Sequence, residues 1–213
     1  MLKNTKESCI SVINTRTCCR SFSDKTVADC DIESILKTGQ AAPSAKNRQP
    51  YFFIVIKNQQ CKKEIALAAT RGREKQFTNW DQQSAESMIK GKSKMNSNDL
   101  VIAEAPVAIL LLRDSDPNYS EGISENLEIQ EEQGVACVAY SMMIAAQALG
   151  LGMAWMCSVL NIPEELEDIL TKYGIAWKKT WQPRVILPVG YSKKEKLRKP
   201  KRKELKEVSS WIN

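Results

Sequence analysis

Between Gly134 and Met156 the chain carries no charged residue. A run of this length suits either a bilayer-spanning helix or a helix buried on nearly every side. Its composition favours the second, because Gly150 and Gly152 interrupt it and Ser141 and Gln147 lie inside it. A helix from about Glu125 to Leu149 is predicted, apolar all round and enclosed by a core or a subunit interface. Such a helix needs other layers to cover it, and 213 residues with 43% hydrophobic content can supply them.

The remaining elements follow from periodicity and turn residues. Residues 5 to 13 and Asp29 to about Gln40 are predicted helices, the second with Ile32, Ile35 and Leu36 at helical spacing. "QPYFFIVIKN" and "APVAILLLRD" are predicted strands buried on both faces. A helix through Ala69 follows the first of them. Residues 71–99 are polar, with Trp80 and Met88 as apolar landmarks, and are expected to form a helical excursion or mobile cover. "SDPNYSEG" is turn-rich, "GMAWMCSV" and "PRVILPVGY" are predicted strands, and "PEELEDIL" is a helix opened by Pro163. The class is mixed α and β, with no repeat and no linker to divide residues 1–213 into more than one domain.

Histidine is absent, which removes histidine bases, His-based metal sites and His-containing triads or dyads together. The N-terminus lacks the charged-then-apolar pattern of a secretory signal. Seven cysteines without a CxxC pair suit reduced thiols in the cytoplasm, and no metal site is expected. The net charge of +6 is local: nine Lys/Arg face two acids between Ser192 and Lys206, leaving the rest of the chain near neutral. Something anionic is expected beside that segment. It has no interleaved aromatics and no nucleic-acid motif, so a nucleic-acid partner is not expected.

Three segments are candidate ligand sites. In "INTRTCCRSFSD", residues 13–24, Arg16 and Arg20 can bind a phosphate by paired charge-assisted hydrogen bonds, with Thr17, Ser21 and Ser23 as neutral donors. Two surface arginines on a solvated loop would look the same. "AAPSAKNRQP", residues 41–50, is a stiffened polar loop placed just before a strand, where ligand contacts concentrate. The basic segment is the third. "GLG" at 150–152 lacks the spacing of a dinucleotide loop and precedes a strand, so it is set aside.

Taken in order, these pieces resemble a known family. "RTCCRSF" at 16–22, "APSAKNRQPYFFIVI" at 42–56, "AAQALGLGMAWM" at 145–156, and "PVGY" with "KPKRKELKEV" towards the end are similar to the marks of the FMN-dependent nitroreductases. The resemblance implies an α+β, three-layer fold: a central mixed, mainly antiparallel sheet flanked by helices, in an intertwined homodimer with FMN at the subunit interface. It implies that Arg16, Thr17, Cys18 and Arg20 hold the phosphate, the ribityl chain and the pyrimidine edge. Arg202, with Lys201, would close on the phosphate. Pro43, Ser44, Ala45 and Asn47 would reach the flavin from the partner subunit, and Met156 and Cys157 would line its N5 side. The 192–213 extension would reach the partner, and 71–99 would cover the flavin, with Phe77 or Trp80 available to stack on an acceptor.

The implied activity is hydride transfer from NADH or NADPH through the flavin to a nitroaromatic, quinone or similar small acceptor, with ping-pong kinetics and no catalytic side chain of the protein's own. Other flavin chemistry (dehalogenation, flavin cleavage or ene reduction) is the alternative, and a non-enzymatic anion- or partner-binding protein is a third. Two residues depart from the family. Cys18 stands where serine is usual, and Cys157 lies where glycine is common. Cys157 is either a buried structural residue or a thiol close enough to tune the flavin. A disulfide between the adjacent Cys18 and Cys19 would be strained and is not expected.

Overall fold

The computed structural model describes residues 5–78, 99–115, 126–194, 197 and 199–212, with side chains omitted at 5–8 and 76–78. Its helices are α1 (Thr5–Thr15), α2 (Asp29–Gln40), α3 (Gln59–Thr78), α4 (Leu100–Glu104), α5 (Leu127–Ala148) and α6 (Pro163–Lys172). The strands are β1 (Tyr51–Ile56), β2 (Val107–Asp114), β3 (Gly152–Met153) and β4 (Trp181–Gly190). They form one sheet in the order β1-β2-β4-β3, every ladder antiparallel. A single parallel bridge, Cys18 to Met153, makes the pairing mixed.

Period-2 alternation in β2 builds the layers. Ala108, Leu110 and Leu112 join one core with α3, α4 and α6, whereas Val107, Ile109 and Leu111 join a second core with α2 and α5. The result is the α+β sandwich of helices around an antiparallel sheet that the sequence implies. Pro183 is tolerated in β4 because it lies where the register with β2 shifts, between the Leu111 and Leu112 pairings.

Helix α5 is buried along Gly134, Val135, Val138, Ala139, Met142, Met143 and Ala146. α2 packs closely on it, since a Cβ added at Gly39 would stand 2.8 Å from Met142 Cγ. Ala136, Cys137 and Tyr140 remain exposed, so within one chain α5 is not covered all round. Among the described residues no helix is long and apolar enough to cross a membrane.

Several sequence expectations are corrected. Among the described residues β1 pairs only with β2, which makes it an edge strand and not one buried on both faces, and Phe52 is 39% exposed. "GMAWMCSV" is mostly not strand. Only Gly152–Met153 forms a ladder, Met156 makes one bridge to Ile186, and Ser158–Asn161 is a 3-10 turn. The helix expected to end near Ala69 runs to Thr78, taking in the start of the supposed cover. The rest of that cover, with Trp80, Met88 and the side chain of Phe77, lies outside the described residues, as do Glu195, Lys196 and Arg198 of the basic segment.

Candidate functional site

The segment after α1 is held at both ends of its course. The Arg16 amide donates to Val12 O as α1 closes, and the Cys19 amide donates to Met153 O at 3.0 Å, fixing the segment to β3. Phe22, 1% exposed, anchors it in the core. Beyond Phe22 the segment pairs with the chain leaving β4: Ser23 N donates to Tyr191 O at 2.8 Å, and Lys193 N to Ser21 O at 3.0 Å. Residues far apart in sequence are thereby brought side by side.

Between them lies a cleft of about 690 Å³. Arg16, Thr17, Cys18, Arg20 and Ser21 form one wall, and Lys194, Leu197, Pro200, Lys201 and Arg202 the other. Five cations and no acid line it among the described residues, which is an anion-binding composition. Thr17 lines the cleft and is only 7% exposed. Arg16 Nε is buried and has no hydrogen-bond partner among the described residues, while its Nη1 stands 4.0 Å from Cys18 Sγ. Buried polar groups are normally satisfied. A donor set of guanidinium, ammonium and hydroxyl groups lining a cleft fits a phosphate-bearing ligand.

Six of the sequence-derived site residues therefore meet: Arg16, Thr17, Cys18, Arg20, Lys201 and Arg202. The others do not line the cleft. Pro43, Ser44, Ala45 and Asn47 lie in a loop against α5, where a Cβ added at Gly134 would stand 3.3 Å from Ser44 Cβ. That loop is unusual. Lys46, Asn47 and Gln49 all have φ above +50°, held by a Gln49 N–H bond to Ser44 Oγ at 3.0 Å. Left-handed backbone at three non-glycine residues is strain of the kind that collects at ligand-binding loops.

Met156 is buried, its backbone paired with Ile186. Cys157 is exposed and accepts the Trp155 indole N–H at 3.0 Å, which corrects the reading of it as a buried structural residue. All seven cysteines are free thiols.

Ser21, expected as a neutral donor, does line this cleft, and Lys194 comes from the basic segment; sequence reasoning missed Leu197 and Pro200. It also missed an ion cluster around the buried Arg113. Arg113 Nη1 lies 3.1 Å from both Glu128 and Glu132, and Ser115 Oγ donates to Glu131 at 2.7 Å. The cluster ties the end of β2 to the first turns of α5. Groups with shifted titration lie away from the cleft, Cys61, Lys62 and Asp99 among them. Burial pushes the Cys61 thiol up to about 11, aided by Glu64 and opposed by Lys172. Burial lowers Lys62, whose ammonium donates to Ala105 O and Pro106 O, and raises Asp99, the partner of Arg73.

An antiparallel sheet between helical layers, with a cationic cleft beside its closing strand, is the architecture of a ligand-binding α+β protein. The sequence profile of the nitroreductase family matches residues 13–191, and the chain belongs to that family of oxidoreductases. A chain of Archaeoglobus fulgidus provisionally named NADH dehydrogenase/NAD(P)H nitroreductase is 28% identical over 70% of this chain and 67% of its own length. Iodotyrosine deiodinase of Hydra vulgaris is 26% identical over 98% of this chain and 74% of its own. The fold is also that of a BluB-like flavoprotein from Clostridium difficile 630, with a TM-score of 0.80 and 22% identity over 96% of this chain and 98% of that one. A solved iodotyrosine deiodinase bound to FMN and 3-iodo-L-tyrosine gives a TM-score of 0.73 at 20% identity, over 95% and 100% of the two chains. Family and neighbours together support a flavin cofactor.

Proposed function

We propose that the chain is a single-domain, cytoplasmic, FMN-dependent NAD(P)H oxidoreductase that reduces a nitroaromatic, quinone or similar acceptor. The observation that carries this reading is the cleft lined by five cations and, among the described residues, no acid, with the Arg16 guanidinium Nε buried and unpartnered within it. Arg16, Thr17 and Cys18 hold the phosphate end, with Lys201 and Arg202 closing over it from the other wall. Arg20 places its charge towards the pyrimidine edge, where it stabilises negative charge on the reduced ring. Bound there, FMN would supply the redox chemistry between NADH or NADPH and the acceptor. The protein contributes position and field.

The reading includes a homodimer. The exposed strip Ala136, Cys137 and Tyr140 on α5 offers an apolar face for a second copy, which then presents Pro43, Ser44, Ala45 and Asn47 to the flavin of the first. Met156 and Cys157 line the N5 side. The open edge of β1 can accept an added strand, and the terminal residues suit that role: Leu205, Val208, Trp211 and Ile212 are all largely exposed.

A second reading keeps the cofactor and changes the acceptor. Relatives named iodotyrosine deiodinase align with nearly the whole chain, which favours reductive dehalogenation. The deciding experiment for both is the visible spectrum of the purified protein before and after anaerobic addition of NADH or NADPH. A yellow protein that bleaches supports the flavin and the first half-reaction, and a panel of nitro, quinone and halotyrosine acceptors then separates the two. A colourless protein that takes up no added FMN sinks both.

A further inference from the structure

We propose that Cys18 is a thiolation site for small anionic disulfides of the glutathione disulfide class, and that the mixed disulfide and a phosphate-bearing ligand exclude one another from the cleft. The exclusion rests on the phosphate reading given above. Cys18 is half-buried, lines the cleft, and has Arg16 Nη1 4.0 Å from its sulfur. Its neighbour Cys19 faces the other way. Cys19 is fully buried, its thiol donates to Ser21 O at 3.3 Å, and its Cβ lies where a side chain at position 152 would begin. A Cys18–Cys19 disulfide would require pulling Cys19 out of the core and straining the bond. An oxidative partner for Cys18 therefore has to enter through the cleft.

The cleft selects which partner. Five cations and, among the described residues, no acid concentrate anionic reagents and disfavour cationic ones. Arg16 Nε, buried and without a hydrogen-bond partner among the described residues, is a donor beside the thiol available to a carboxylate. In the reaction the Cys18 proton passes to solvent and Sγ attacks one sulfur of the disulfide. A new S–S bond forms as the old one breaks, and one glutathione leaves as thiolate with the electron pair. Cys18 is oxidised, the released glutathione is reduced, and no other oxidant is needed. The attached tripeptide then fills the cleft and sets its carboxylates against the same cations.

The test follows each cysteine by peptide mass mapping in the full-length protein, as purified and after removal of any bound flavin. Glutathione disulfide is compared with the neutral 2-hydroxyethyl disulfide, at low and high salt, with and without inorganic phosphate. Cys18 should react roughly tenfold faster with the anionic reagent. High salt should erase that preference and phosphate should slow the reaction. Cys30, exposed between Asp29 and Asp31, should show no such preference, and Cys18→Ser should remove only the Cys18 adduct. Equal rates for the two disulfides, or no protection by phosphate, overturns the proposal. An FMN titration separates the two claims. Phosphate-protected thiolation in a protein that binds no FMN keeps this site and drops the flavin reading. FMN binding alongside unselective Cys18 chemistry does the reverse.

Discussion

The Lys193 amide donates to the carbonyl oxygen of Ser21 at 3.0 Å, and this contact joins the two walls of the cationic cleft. Phe22, between Ser21 and the next pairing at Ser23, carries the ribbon on its buried ring. Phe22→Ala is expected to cost about 3–5 kcal/mol of stability, read by urea unfolding. FMN affinity measured well below the unfolding transition should fall as well. Unchanged affinity in a folded variant would mean the ribbon does not set the cleft.

Arg16→Ala tests the phosphate role. Removing a charged hydrogen bond is expected to weaken FMN by about 1.5–3 kcal/mol, roughly ten- to a hundredfold. Riboflavin, which lacks the phosphate, should be affected far less. Fluorescence titration with both ligands gives the comparison, and equal losses would remove Arg16 from the phosphate.

Gly152→Ala probes how the segment is seated on β3. The new Cβ would stand 2.4 Å from Cys19 Cβ, an atom fixed to backbone that cannot swing away. Overpacking of this kind costs about 1–3 kcal/mol. The expected outcome is a lower Tm together with weaker FMN binding, whereas Gly174→Ala, with no atom within 4 Å of the new Cβ, should leave binding intact.

Cys61 makes a pH-dependent contribution. Its thiol is raised from the ordinary 9.0 to about 11 in the fold, so between those values the unfolded chain has lost the proton that the native chain keeps. Stability from this group is complete below pH 9 and is lost as pH rises through 11. Urea unfolding from pH 8 to 11 should show a shallower alkaline decline in Cys61→Ala than in the parent. Iodoacetamide at pH 8 should label Cys9, Cys30 and Cys137 well before Cys61.

The homodimer is tested by sedimentation. Tyr140→Glu, which places a charge on the exposed strip of α5, and removal of residues 205–213 should each shift the protein towards monomer and release FMN. A monomeric parent that retains FMN would overturn the shared site.

The sequence made the layers legible because β2 and α5 have strong, consistent patterns, and α2 appears with the limits its spacing implies. β1 was misjudged because Tyr51–Ile56 is apolar at every position, and such a run does not say whether a strand is central or waits at an edge. The extent of β3 was misjudged for a related reason: Ala154 and Trp155 are apolar, but the chain leaves the ladder after Met153. The cleft could be assembled from "RTCCRSF" and the basic segment only through the resemblance, since nothing local connects residue 16 to residue 202. The left-handed turns at Lys46, Asn47 and Gln49 were invisible because none of them is glycine.

The position of the cleft's second wall bears on when the protein can take its cofactor. Residues 194–202 follow β4, the central strand that closes both cores, and so they leave the ribosome after every part of the sheet. During synthesis the hydrophobic layers can form while the arginines of the first wall still face open solvent. On the proposed reading, FMN would therefore meet a complete phosphate site only once residues 194–202 have been made.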